Sequence, residues 1–326
     1  MFNNFSSENK RRKRLEYLAE IASLYYEYNL TQKQIADKLF IDRSRVSRLL
    51  NLAHKQGVVK IQINHFCERS YELENILKRT FKIKEALVLN NLRGDPSKSS
   101  RQLGALAASY LDAILKDGQM IGISWGPSIA ATINSLDEKY YRNSMVVQLV
   151  GGTSTPNSAY DISGVTQKLV SKIHSKVIYL NAPLITNDLK LSEGLKNQPT
   201  IDYALNQARK ADLIITTIGD IGTENFTSFY PHSDGLISLP ELKKAGAVGF
   251  ICAQAFDAQG GPIESDFNKK VIGISLDDLK SNETVIVIVE GEKRAQALLA
   301  ALKGGYPKVL ISDQKCVSKV LQMIHE

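Results

Sequence analysis

The sequence predicts an α/β protein in two parts, a small N-terminal helix-turn-helix domain and a larger Rossmann-like domain built on a parallel sheet. Three observations carry this prediction. Helix breakers are confined to the later chain: all nine prolines lie at or beyond Pro96, and Gly57 is the one glycine before Gly94. Charge is equally uneven. Residues 1–60 hold 12 Lys and Arg against 6 Asp and Glu, and this +6 is nearly the whole formal charge of +7. From about Glu85 onward, near-continuous apolar runs alternate with helical patterns, which implies a parallel sheet covered on both faces. A length of 326 residues accommodates two or three domains at roughly 100–200 residues each. The 43% hydrophobic and 23% charged composition excludes a disordered chain. The boundaries read as 1–65 for the helical domain, 66–84 for a linker helix and 85–326 for the sheet domain.

The first helix follows from Leu15, Leu18, Ile21, Leu24 and Tyr28, apolar positions at three- and four-residue spacing. Asn29 and Leu30 break it. Thr31 is placed to cap a second helix, Gln32 to Phe40, with Gln34 as its capping-box partner. Asp42 is placed to cap a third, from Arg43 to about Gln56, which Gly57 ends. Two short helices so closely joined need specific apolar positions and one small residue. Ile35, Leu39, Ile41, Val46 and Leu49 supply the first, and Ala36 the second. The third helix then carries Arg43, Ser44, Arg45, Ser47 and Arg48 on its other faces. Arginine reads guanine edges or grips phosphates, and serine serves either purpose, so this mixture suits a helix entering a major groove. Thr31 and Gln32, opening the preceding helix, complete the expected DNA contacts. Many such motifs have glycine at the turn, where this chain has Phe40.

Val58–Ile63 alternates weakly and reads as a wing-like strand, and Tyr71–Phe81 as the linker helix. In the sheet domain the predicted strands are 86–89, 120–124, 145–149, 177–180, 213–218, 248–252, 285–289 and 309–311. The predicted helices are 99–115, 129–136, 162–173, 201–208, 239–245, 293–302 and 316–324.

Parallel sheets bind ligands beyond the C-terminal ends of their strands, and several segments at such places are small and polar. Ser124-Trp125-Gly126-Pro127-Ser128 passes from strand to helix, where backbone N–H groups can cradle a phosphate. Gly151-Gly152-Thr153 and Gly219-Asp220 follow two further strands. Together they predict a polyol or phosphate pocket. Asp257, before the Gly260-Gly261 pair, is placed to accept hydrogen bonds from sugar hydroxyls, or serves as a turn carboxylate. Arg294 opens the helix after Val285–Val289 and is placed to clamp a phosphate.

Other chemistry is not indicated. His174 and His232 lack nucleophile or metal-ligand patterns around them, and no spacing of His, Cys and Asp suggests a metal or another cofactor. Cys67, Cys252 and Cys316 are far apart and odd in number, against a disulfide framework. The first residues lack an apolar stretch of signal-peptide length. Val285–Val289, the most apolar run, is far short of the roughly 20 residues of a membrane span. These features point to a cytoplasmic location with no membrane partner.

The order of motifs resembles the SorC family of bacterial transcription regulators, also called the sugar-binding-domain family within the wider DeoR grouping. The resemblance rests on the helix-turn-helix 31–50, Gly122-Ile123-Ser124-Trp125-Gly126, Gly151-Gly152, Ala182-Pro183-Leu184, Gly219-Asp220-Ile221-Gly222 and Lys303-Gly304-Gly305-Tyr306. It runs from about residue 14 to 322. It implies a sheet domain similar to sugar-phosphate isomerases and deaminases that senses a phosphorylated sugar or related metabolite, in a homotetramer or homodimer. It further implies that operator binding to double-stranded DNA responds to that effector, that residues 125–128 line the ligand loop beside Gly151 and Gly152, and that Asp257 is an acidic ligand contact. Arg294 stands where many members have lysine, which keeps the positive charge but changes how it holds a phosphate. Against this, an isomerase- or deaminase-like enzyme carrying a DNA-binding head would need a general base. Asp220 and Asp257 are the obvious candidates, and neither has a histidine partner evident in the sequence. A sensor of the LysR type is disfavoured by residues 122–126 and 303–306.

Overall fold

The computed structural model describes residues 2–59, 68–90, 96–152, 161–222 and 238–325. The chain divides into two compact units, residues 1–65 and 66–326.

In the first unit α1 (Phe2–Tyr26), α2 (Gln32–Leu39) and α3 (Arg43–Lys55) enclose a core of Ile21, Leu24, Ile35, Ala36, Val46 and Leu50. Leu39, Ile41 and Leu49 pack against that core half-buried, so Leu50 takes the fully enclosed place that the spacing assigned to Leu49. The helix α1 starts well before Leu15, and Tyr28 lies beyond its end, exposed. The Thr31–Gln34 capping box forms in both directions. Asp42 occupies the N-cap of α3 without a side-chain capping bond. Phe40 ends α2 in the left-handed conformation, φ 53° and ψ 46°, with its N–H donating to Ala36 O. At the far end of α3, Gly57 turns at φ +71°, and the N–H groups of Val58 and Val59 return to Ala53 O. The rest of the expected wing lies outside the described residues.

In the second unit, the expected linker helix α4 (Tyr71–Phe81) is docked on the sheet domain and is no free tether. Leu77 is fully buried, and the Glu74 carboxylate takes both an Arg69 guanidinium pair and the Val88 N–H of strand β1 (Glu85–Leu89). After β1 come α5 (Pro96–Ile114), β2 (Met120–Ile123), α6 (Pro127–Ser135), β3 (Met145–Gln148), α7 (Ile162–Ile173) and β4 (Lys176–Ile178). Then follow α8 (Leu189–Lys196), α9 (Pro199–Arg209), β5 (Leu213–Thr216), β6 (Ile218–Asp220), α10 (Leu239–Lys244), β7 (Gly249–Ile251) and β8 (Gln254–Phe256). The chain closes with α11 (Phe267–Lys270), α12 (Leu276–Ser281), β9 (Val285–Val289), α13 (Ala295–Gly304), β10 (Val309–Asp313) and α14 (Gln314–His325).

Among the described residues the main sheet has seven strands, ordered β1-β10-β9-β5-β2-β3-β4 and parallel throughout. Alternate residues of each strand enter opposite cores. Val285, Val287 and Val289 join one cluster with α13 and α14, whereas Ile286 and Ile288 join another with α5, α6 and α7. Burial on both faces explains the near-continuous apolar strands in the sequence.

Two predicted strands required correction. Residues 213–218 do not run as one strand: the chain leaves the sheet at Thr217, and Ile218–Asp220 forms β6. Residues 248–252 do not join the parallel sheet. Their central part, β7, pairs antiparallel with β6 and β8 in a separate three-stranded sheet. Its hairpin turns at Cys252 and Ala253, φ 48° and 61°. Such turns favour glycine or asparagine, so this one carries no sequence signal.

Candidate functional site

The exposed face of α3 follows from local sequence. With Val46, Leu50 and Ala53 turned into the core, helical spacing leaves Arg43, Ser44, Arg45 and Arg48 exposed and Ser47 half-exposed. Arg48 Nε donates to Ser44 O at 3.3 Å, while Thr31, Gln32 and Arg43 border one open groove with Tyr25 and Tyr26. The expected DNA-contacting residues are therefore brought to accessible surface of one unit.

The sheet order defines a second site. From β2 the chain winds to β3 and β4 on one side, whereas beyond its neighbour β5 lie β9, β10 and β1. The two connections leaving β2 and β5 diverge, and ligands in open α/β sheets bind in the crevice at such a switch point. A cavity of about 440 Å³, mouth included, lies there. Its walls are residues 124–128 after β2, Thr217–Gly219 after β5, Phe250 and Cys252 of the small sheet, and Arg294 after β9.

Each wall has a structural cause. Ser124 N–H donates to Ile215 O at 3.0 Å, which carries the β2–β5 pairing one residue past the strand. Beneath it Ser124 Oγ lies 3.0 Å from Thr216 Oγ1, itself 3.3 Å from Cys252 Sγ. Burial pushes the Cys252 thiol up to about 12, so it stays neutral and is no nucleophile. Gly126 is the N-cap of α6 at φ +132°, where a Cβ would also meet Thr217 Cγ2 at 3.1 Å. Pro127 follows at the first helical position, where its missing N–H costs nothing. The N–H groups of Ser128 and Ile129 have no partner within the helix and sit at its positive end. Arg294 Nη1 donates to Glu290 O at 2.7 Å and the guanidinium borders the cavity. Together these parts offer a helix N-terminus and a guanidinium for an anion, with Trp125, Ile218 and Phe250 as apolar walls.

The family model "Putative sugar-binding domain" matches residues 65–322. The transcriptional regulator LsrR of Escherichia coli K12 is 31% identical over 309 residues, covering 94% of this chain and 95% of that protein. The deoxyribonucleoside regulator of Bacillus subtilis is 29% identical over 305 residues, 93% of this chain and 96% of its own. The crystal structure of the full-length sorbitol operon regulator SorC from Klebsiella pneumoniae superposes with a TM-score of 0.71 at 26% identity, over 94% of this chain and 99% of that one. The chain belongs to the SorC family of transcription regulators. It joins a helix-turn-helix unit to a sugar-binding domain.

Within this SorC-family fold the structure gathers part of the expected effector set and disperses the rest. Ser124, Trp125, Gly126, Pro127, Ser128, Gly219 and Arg294 meet at the cavity. Gly151 and Gly152 do not line it. Their N–H groups donate to Ile272 O and Ala182 O, and a Cβ on Gly151 would strike Pro183 O at 2.5 Å, so close backbone packing is what requires that glycine. Thr153 lies outside the described residues. Asp220, next to Gly219, turns its carboxylate to Gly222 N–H. Asp257 is not among the residues that line the cavity. Its Oδ1 accepts the N–H groups of Gln259 and Gly261, the turn role that was the alternative reading. The neighbouring Gly260 packs on Gly304 at the C-terminus of α13, whereas Arg294 precedes that helix. Ten residues of helix, about 15 Å, separate those ends.

Thr217, Ile218, Phe250 and Cys252 were missed. Their residue types carry no ligand signal, and Phe250 and Cys252 arrive by way of the small sheet, which the sequence did not reveal. His174 makes a surface contact with Glu138 at 2.9 Å, and His232 is outside the described residues. Among the described residues no group of three His, Cys, Asp or Glu side chains is arranged to hold a metal, and no helix is long and apolar enough to cross a membrane.

Proposed function

We propose that this regulator binds double-stranded operator DNA through Arg43, Arg45 and Arg48, assisted by Ser44, Ser47, Thr31 and Gln32, and that a phosphorylated sugar in the switch-point cavity modulates that binding. The observation that carries the effector half is the convergence of the α6 N-terminus and Arg294 on one cavity. A phosphate there meets backbone N–H groups and a guanidinium fork, and the apolar walls face the carbon skeleton. The chain works in the cytoplasm as a homodimer or homotetramer, because paired recognition helices match half-sites about one helical turn apart or a multiple of it. An effector then acts by favouring one arrangement of subunits.

The protein is a sensor and not an isomerase or deaminase in this reading. What supports this reading is that the similar proteins are transcriptional regulators by name. The test is a ligand-induced thermal shift on the full chain with ribose 5-phosphate, glucose 6-phosphate, the parent sugars and inorganic phosphate. Phosphorylated sugars should raise the melting temperature, since a ligand at a hundredfold its Kd adds about 2.7 kcal/mol. Equal shifts with the unphosphorylated sugars would overturn the phosphate assignment, and turnover of any compound would restore the enzyme reading.

A further inference from the structure

Arg294 reaches the cavity from a turn that is held at its base by a carboxylate outside the cavity wall. Asp313 ends β10 and is buried, and its Oδ1 accepts the Gly291 N–H at 2.8 Å. Gly291 sits just past the end of β9 at φ +92°, a conformation suited to glycine. Gly291 O in turn accepts the Arg294 N–H at 3.0 Å, and Glu290 O accepts Arg294 Nη1. The Glu290 carboxylate is tied in by Ser100 Oγ of α5. The guanidinium is thus bent back over its own turn by one donor and borders the cavity. A carboxylate is costly to bury unless it is hydrogen-bonded. The β9–β10 pairing is already secured by its backbone register, so the Asp313–Gly291 bond adds control of the turn beyond that ladder.

We propose that Asp313 is a positioning residue for Arg294, fixing the 290–294 turn so that the guanidinium meets the phosphate of the effector. This rests on the reading that the cavity takes a phosphorylated sugar. Asp313 acts through Arg294 and does not touch the ligand itself. Burial, aided by Asp313, raises the Glu290 carboxyl above its usual range, whereas Ser100 and Arg294 act to lower it, which places these groups in one electrostatic neighbourhood.

The test is a double-mutant cycle on the full chain, titrated with ribose 5-phosphate and glucose 6-phosphate by calorimetry. Asp313→Ala should weaken binding about tenfold, the effect of losing one well-placed charged contact. Asp313→Asn keeps an acceptor for the Gly291 N–H and should stay within about threefold of the parent. In an Arg294→Ala background Asp313→Ala should change the remaining affinity by less than about twofold, because the two act as a unit. Equal affinity of Asp313→Ala and parent, or additive losses in the double variant, would overturn the proposal. Should Asp313→Ala not fold, Gly291→Ala strains the same turn from the other side and must show the same dependence on Arg294. Failure of the parent protein to bind either compound would strike the phosphate reading first and remove the proposal with it.

Discussion

Replacing Phe40 with glycine should stabilise the DNA-binding unit. Phe40 ends α2 at φ 53° and ψ 46°, a conformation that costs a side chain with a Cβ roughly 1–2 kcal/mol. Its ring is 95% exposed, so deleting it sacrifices almost no buried apolar surface. The capping bond from residue 40 N–H to Ala36 O needs only backbone and survives the change. Against this gain, glycine loses about 0.5–1 kcal/mol more conformational entropy on folding. The balance is a stabilisation of about 0.5–1 kcal/mol, which for a unit of this size raises its melting midpoint by several degrees, about 2–8 °C. Hydrogen exchange of the α2 and α3 amides in the full chain isolates this unit from the sheet domain. Phe40→Ala is the control, since it removes the ring and keeps the strain. Glycine should exceed both alanine and phenylalanine. Glycine no more protective than alanine would refute the strain argument.

Arg45→Ala should cost about 1–3 kcal/mol of operator affinity if its guanidinium reads a base; unchanged affinity at physiological salt in a gel-shift titration would remove it from the contact set. Gly219→Ala puts a Cβ 2.1 Å from the Phe250 ring, so the ring must swing. Phe250 lines the cavity, and sugar-phosphate thermal shifts should vanish while the far-ultraviolet circular dichroism stays unchanged. Glu290 is raised chiefly by burial, so the folded state holds its proton to higher pH than the unfolded chain does. Stability contributed by that proton is present below the unfolded pKa, about 4.3, and is lost as pH rises through the folded value. Glu290→Gln removes this loss and keeps an oxygen for Ser100 Oγ, so denaturant unfolding should show it gaining on the parent at neutral pH and not at about pH 4.

The helix-turn-helix was legible because its signals are local. The Thr31–Gln34 capping box, the small Ala36 and the spacing of Ile35 and Val46 each act within a few residues, and all are realised. Strands such as Val285–Val289 were legible because burial on both faces leaves no polar alternation. The cavity was legible only in part. The 124–128 loop announces itself by its glycine and proline at a strand-to-helix passage, and Arg294 by its place before a helix. Asp257 lies outside the cavity wall, and its Oδ1 takes its own turn's N–H groups, short-range bonds that form wherever such a turn sits.

By itself the sequence determined a basic helix-turn-helix unit, a doubly covered parallel sheet, and which strand-to-helix loop would border the cavity. Capping, periodicity and charge are properties of neighbouring residues, so they can be read without the fold. The tertiary structure alone decided which strand ends stand side by side. Strand order set β5 against β2 and opened the crevice between their diverging connections, and the break at Thr217 sent Ile218–Asp220 into a second sheet that carries Phe250 and Cys252 to the cavity. Pairing across that many residues depends on the packing of the whole domain, and no local pattern encodes it.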